Sequence, residues 1–249
     1  MSRVETTLSG ALSFLGREAA RIVLPSWCAV CGGELPWRDR TASCCATCWR
    51  ALPKITSVKC ESCALPIAGD VAAKCIECQL EPLPLVWCDA WGHYSGGLER
   101  LLHAFKFKKH DFLDDPFATL LAETLRERFP AEDTRFDAVV PVPMSRKKER
   151  KRGYNQSELL ARSLAKKIGT QCEMLLTKTT DTLAQSLLPK EERAANVRHA
   201  FQASAKANDK SLLLIDDICT TGETLRACAN ELLRAGAARV CAITVAKAS

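Results

Sequence analysis

The chain has 249 residues, 47% hydrophobic and 26% charged, with 35 Lys and Arg against 29 Asp and Glu for a net charge of +6. That composition excludes a disordered or collagen-like chain and fits an ordinary soluble domain joined to a smaller one. The mild positive balance permits phosphate-rich ligands or nucleic acid without demanding them.

At the start, Leu8, Leu12, Leu15, Ala19 and Ile22 recur at helical spacing. This predicts an amphipathic helix over residues 5–22, within an N-terminal segment 1–24. Arg17, Glu18 and Arg21 interrupt any uncharged stretch, so the segment does not read as a secretory signal. No apolar run approaches the roughly 18 residues of a membrane-spanning helix. The helix is expected to pack on the rest of the protein, with no membrane insertion. The expected compartment is the reducing cytoplasm.

Residues 25–80 are dominated by cysteine. Of fourteen cysteines, ten fall between Cys28 and Cys88, and in a reducing compartment they point to metal rather than disulfides. Cys28-x2-Cys31 is followed after thirteen residues by Cys45-x2-Cys48, and Cys60-x2-Cys63 after eleven by Cys75-x2-Cys78. A Cys-x2-Cys turn aims both sulfurs at one point, and two such turns supply four thiolates at tetrahedral angles. The repetition predicts a double zinc ribbon holding two structural Zn²⁺ ions. Four cysteines close each site, which argues against a catalytic metal, and matched pairs argue against redox motifs. Cys44 is an alternative ligand to Cys45, which keeps the two-residue spacing to Cys48. Cys88, Cys172, Cys228 and Cys241 stand singly in apolar segments and read as core residues.

Glu81-Pro82-Leu83-Pro84-Leu85 marks the joint to a second domain, residues 86–249. Strands are expected at Val86–Tyr94, Phe136–Val142, Cys172–Leu176, Leu212–Ile215 and Val240–Val245. Helices are expected at Leu98–Phe107, Phe112–Arg128, Gln156–Ile168, Lys190–His199 and Gly222–Ala235. Alternating strands and helices imply an α/β fold with a mainly parallel sheet.

The most informative run is Leu212-Leu213-Leu214-Ile215-Asp216-Asp217-Ile218-Cys219-Thr220-Thr221-Gly222-Glu223-Thr224. An apolar strand ends in two acids, where open α/β sheets place ligands. A hydroxyl- and glycine-bearing turn then opens a helix and presents N–H groups to a phosphate. Carboxylates for ribose hydroxyls beside a phosphate cradle suit a sugar phosphate. There is no G-x4-G-K-[ST] and no G-x-G-x-x-G.

This run resembles the phosphoribosyl pyrophosphate (PRPP) motif of type I phosphoribosyltransferases. The resemblance implies that fold and makes Asp216 and Asp217 the catalytic pair, contacting the ribose 2′- and 3′-hydroxyls. Cys219, Thr220, Thr221, Gly222, Glu223 and Thr224 would form the PRPP loop around the phosphate. Upstream, Val139-Val140-Pro141-Val142-Pro143 ends a strand, followed by Met144, Ser145 and the tract Arg146–Arg152, in which six of seven residues are basic. With Gly153-Tyr154-Asn155-Gln156 this resembles the ComF family, as do Leu102–Phe107 and the spacing of Gln185, Arg193, Asn196 and Phe201. Lys178, Thr180 and Ala184 depart from that pattern. The resemblance places pyrophosphate near Pro143, Met144, Ser145 and Arg152, with Mg²⁺ accompanying PRPP. It implies displacement of pyrophosphate by a nitrogen nucleophile and a link to DNA uptake. A non-enzymatic nucleic-acid-binding protein and a PRPP sensor are the alternatives. The tract 146–152, with Lys106, Lys108 and Lys109, could neutralise the phosphates of single- or double-stranded DNA. Aromatic residues are only 6%, so no base-stacking platform is evident.

Overall fold

The computed structural model describes residues 27–36, 43–68, 74–107, 110–129, 135–179 and 200–248. The helices expected at 5–22 and 190–199, and Lys108, Lys109, Gln185, Arg193 and Asn196, lie outside the described residues.

Two short helices belong to the cysteine-rich part, α1 (Ala46–Arg50) and α2 (Ile76–Leu80). The remainder runs β1 (Cys88–His93), α3 (Gly96–Phe107), α4 (Asp114–Arg128), β2 (Ala138–Pro141), α5 (Arg146–Arg152), α6 (Gln156–Ile168), β3 (Gln171–Cys172), β4 (Leu176–Lys178), β5 (Phe201–Ala203), β6 (Ser211–Cys219), α7 (Glu223–Arg234) and β7 (Arg239–Lys247). Five strands form a wholly parallel sheet in the order β1-β7-β6-β2-β3, and β4 and β5 pair antiparallel beside it.

The strands are apolar on both faces, as a doubly covered parallel sheet requires. Val139, Leu213, Ile215, Cys241 and Ile243 pack with α3, α4 and α6, while Ala138, Val140, Leu212, Leu214 and Ala242 pack with α7 and the β4–β5 pair. Alternate residues of each strand point to opposite faces, so one run such as Leu212–Ile215 feeds both cores.

The proline joint does not separate two independent cores. Cys28, Leu35, Cys44 and Leu52 of the first ribbon share the α3–α4–α6 core, where Trp49 stacks on Phe117 with ring centroids 6.2 Å apart. Arg100 donates to the Val30 carbonyl at 2.5 Å. In the joint itself Leu83 is buried with Cys60, Cys63 and Cys78. Composition changes sharply at residue 85, but packing crosses that point.

Two elements differ from the sequence expectations, and a third was assigned no element there. The basic tract is a helix, α5, because Ser145 accepts from the Lys148 N–H at its start and Gly153, at φ 95°, closes it in the left-handed region. The segment expected as one strand near Cys172–Leu176 is split into β3 and β4. The strand expected to stop at Ile215 continues to Cys219, so both acids lie within β6 rather than after it.

Candidate functional site: a cleft at the sheet's carboxyl edge

The chain runs from β2 outward to β3, then returns to β6 on the other side of β2 and continues to β7. Between β2 and β6, connections therefore leave in opposite directions, and the crevice outside their carboxyl ends is where such sheets bind ligands. Strand lengths open that crevice further. β2 pairs with β6 only as far as Pro141 with Ile215, whereas β7 follows β6 through Asp216, Ile218 and Cys219. Beyond Ile215 the strand is thus, among the described residues, paired on one edge and unpaired on the other, and the two aspartates stand there.

A cleft of about 350 Å³ occupies this position. Of the residues expected from sequence, Asp216, Asp217, Thr220, Thr224, Pro143, Met144, Ser145 and Arg152 line it. The other four do not. Cys219 is buried, its thiol directed 3.9 Å from the Cys63 carbonyl oxygen of the second ribbon. Thr221 is exposed, Glu223 pairs with Arg226 at 3.2 Å, and Gly222 sits against Leu83. At φ +84° Gly222 occupies the left-handed region, and a Cβ there would meet Leu83 methyl carbons at 3.2 and 3.4 Å. The glycine therefore answers to the joint, not to an approaching phosphate.

The two acids have different surroundings. Asp217 is buried and pairs with Lys106 of α3 at 2.6 Å, while Gln156 makes a long 3.5 Å contact to its other oxygen. Asp216 is half-buried and accepts from the Ser157 hydroxyl at 2.8 Å and from the Asp217 N–H at 2.9 Å. Among the described residues no cation pairs with it. Burial first, and then the neighbouring Asp217 charge, push Asp216 up to about 7.

The opposite wall comes from the turn between α5 and α6. Asn155 caps α6 by accepting from the Ser157 N–H at 3.1 Å and donates to the Val142 carbonyl at 3.1 Å, which pins the helix start to the end of β2. Arg152 hydrogen-bonds Gln156 and lies 4.9 Å over the Phe107 ring. Lys148, one turn earlier on α5, is exposed but also lines the cleft, whereas the exposed Arg146, Lys147, Arg150 and Lys151 do not. The basic tract thus has two faces. Outside the lining, Lys247 is buried and donates to the Thr220 carbonyl, holding the loop after β6.

Ser157 and Tyr94 were not singled out from sequence, and Gln156, Lys148 and Lys178 were named there only within motifs or the basic tract, yet all five line the cleft. Tyr94 and Lys178 come from distant elements, and no local pattern signals them. Ser157 had a signal: it is a polar residue two places after a capping Asn, on the helix following the β2 loop.

In the ribbons, the sulfurs of Cys28, Cys31, Cys45 and Cys48 lie within 4.8 Å of one another, as do those of Cys60, Cys63, Cys75 and Cys78. Backbone N–H groups point at the sulfurs, Cys45 to Cys28 at 3.4 Å and Cys75 to Cys60 at 3.2 Å. Two closed four-thiol sets with N–H support fit structural Zn²⁺. Cys45 rather than Cys44 completes the first set.

Comparison with known proteins agrees with this geometry. The family model described as phosphoribosyl transferase domain matches residues 116–249, and that described as double zinc ribbon domain matches residues 19–79. The DNA utilization protein YhgH of Salmonella typhi is 30% identical over 88% of this chain and 96% of its own length. This chain belongs to the ComF family of phosphoribosyl transferase-domain proteins. Competence protein ComFC of Bacillus subtilis is 30% identical over 78% of the ComF chain described here and 79% of its own. Competence protein F of Haemophilus influenzae is 29% identical over 58% of this chain and 66% of its own. Among the described residues, no helix of this ComF protein is long and apolar enough to cross a membrane.

Proposed function

We propose that this ComF protein binds PRPP in the β2–β6 cleft and transfers its phosphoribosyl group to a nitrogen nucleophile. The observation that carries the reading is the acid pair on the unpaired edge of β6, directly ahead of a hydroxyl-bearing loop and a helix start. Asp216 and Asp217 accept from the ribose hydroxyls, giving short charge-assisted bonds. Thr220 and Thr224, with the free N–H groups of the first turn of α7, take the 5′-phosphate. Lys148 and Arg152 stand across the cleft beside Pro143–Ser145, where they stabilise negative charge as pyrophosphate departs. Among the described residues Asp216 has no paired cation, and it suits the Mg²⁺ that accompanies PRPP. When bound, that ion adds charge neutralisation at the leaving group.

Calorimetric titration with PRPP and Mg²⁺ tests the binding step. Saturable uptake of one PRPP per chain is expected, and absence of binding at millimolar ligand would overturn the reading. A screen of nucleobases for pyrophosphate release then tests transfer. Binding without release from any acceptor would leave a PRPP sensor.

A second reading rests on the outward face of α5, where Arg146, Lys147, Arg150 and Lys151 are exposed together. That face suits a nucleic-acid backbone and is compatible with PRPP binding in the cleft behind it. The relatives' names, DNA utilization and competence, fit a DNA-handling role.

A further inference from the structure

The second ribbon is docked on the loop proposed to hold the 5′-phosphate, and three contacts make the joint. At the end of β6 the buried Cys219 thiol faces the carbonyl of Cys63, one of the four cysteines of the second metal set. At the loop's last residue, Gly222 rests on Leu83, which is itself buried among Cys60, Cys63 and Cys78. In the first turn of α7, Arg226 binds Glu223 at 3.2 Å and reaches back to the Pro82 and Glu81 carbonyls at 2.8 and 3.2 Å. Each contact alone is modest. Together they tie both ends of the loop, residues 219 and 222–226, to one small metal-folded unit.

A ribbon of this size has too little apolar surface to hold its own shape without metal. Among the described residues its cluster contains four buried ones, three of them cysteines of the metal set. The docking surface that Cys63 and Leu83 present therefore exists when the four thiolates are drawn together. Among the described residues the first ribbon shows no such relation to the loop; its buried residues join the core under α3 and α4.

We propose that zinc in the second ribbon positions the phosphate loop, so that metal occupancy of Cys60, Cys63, Cys75 and Cys78 and PRPP affinity are thermodynamically coupled. Arg226 is the positioning residue that transmits the coupling. It lies outside the cleft lining and acts through Glu223 and the joint. The inference rests on the PRPP reading above. Coupling between sites is reciprocal, so bound PRPP must in turn retain the second zinc.

The test uses the full zinc-loaded chain, with Arg226→Ala and Cys60→Ser as variants. Arg226→Ala is expected to keep two zinc ions and a wild-type circular dichroism spectrum while binding PRPP about tenfold more weakly, within the usual range of coupling energies. Cys60→Ser is expected to lose one zinc and weaken PRPP binding at least as much. In the wild type, saturating PRPP with Mg²⁺ is expected to slow release of one of the two zinc ions to a chromophoric chelator. Arg226→Ala is expected to lose that protection, which a merely structural arginine would not control. If wild type binds PRPP but Arg226→Ala binds it equally well, or if PRPP leaves both zinc release rates unchanged, the coupling is wrong and the PRPP reading stands. If wild type takes up no PRPP, both fall together.

Discussion

Asp216 and Asp217 are adjacent, yet neutralising them should have different consequences. Asp217→Asn removes the charge from a carboxylate whose side chain is 4% exposed and leaves Lys106 without its 2.6 Å partner. Breaking a fully buried ion pair costs about 3–5 kcal/mol. The Lys106 side chain is 20% exposed, so water recovers part of that loss, and about 2 kcal/mol of destabilisation is expected. For a chain of this size that lowers Tm by roughly 4–8 °C. Asp216→Asn removes no ion pair, and the carboxyl it replaces already holds its proton up to about pH 7. At neutral pH its Tm should be no lower than wild type, because ionising Asp216 costs the folded state, while PRPP affinity falls by about ten- to 150-fold, the worth of one charge-assisted hydrogen bond. Thermal melts and PRPP titrations of the two single variants separate the roles. The reasoning is refuted if Asp217→Asn melts with wild type, or if Asp216→Asn is the less stable of the two.

The other expectations are narrower. Elemental analysis of protein purified without chelator should give two zinc ions per chain, and one or none would remove the tandem-ribbon reading. Lys147→Ala with Arg150→Ala and Lys151→Ala should weaken DNA binding without sequence preference and reduce the salt slope by about one per cation. The triple variant should bind PRPP as wild type does, because Lys148 and Arg152 remain in the cleft; an unchanged salt slope would move DNA contact elsewhere. Gly222→Val should lower both Tm and PRPP affinity, because φ +84° strains any side chain and its Cβ meets Leu83. Unaltered melting would show that the joint yields freely there. Asp216, raised from the ordinary 3.8 to about 7, keeps a proton in the folded chain that the unfolded chain releases. Its contribution to stability therefore falls as pH rises from about 4 to about 7 and is flat above. PRPP affinity, which needs the ionised form, should climb between pH 6 and 8 in wild type, and Asp216→Asn should lack that part of the climb. Equal pH profiles would contradict the assignment.

The elements that sequence predicts well are those whose cause is local. The ribbons follow from the Cys-x2-Cys spacing, because chelation depends on few residues close in the chain. The parallel sheet follows from Val139–Val140 and Leu212–Ile215, since strands buried on both faces need continuous apolar runs. The basic tract shows where local reading stops. Six cations in seven residues suggest a repelling surface run, yet Ser145 and Gly153 cap it into a helix. Helical periodicity then divides the tract, sending Lys148 and Arg152 to the cleft and their neighbours to solvent. Both caps are local sequence features, a Ser ahead of the tract and a Gly after it.

The acid pair illustrates a limit of a different kind. Their motif locates them correctly at the carboxyl end of a strand, but a motif records neither the strand's neighbours nor their lengths. Asp217 is ion-paired because α3 brings Lys106 across from more than a hundred residues away, and Asp216 is open because β2 ends at Pro141 while β7 continues. Likewise Cys219 belongs to the motif's sequence but faces the ribbon, since the end of β6 is where the metal-folded unit docks. The loop therefore has two sets of constraints. Thr220 and Thr224 face the cleft, while Cys219, Gly222 and Glu223 serve the joint. Substitutions in the first set should change ligand affinity directly, and those in the second should change it only through the ribbon. That division gives a physical reason for one chain to carry a zinc module beside the proposed sugar-phosphate cleft.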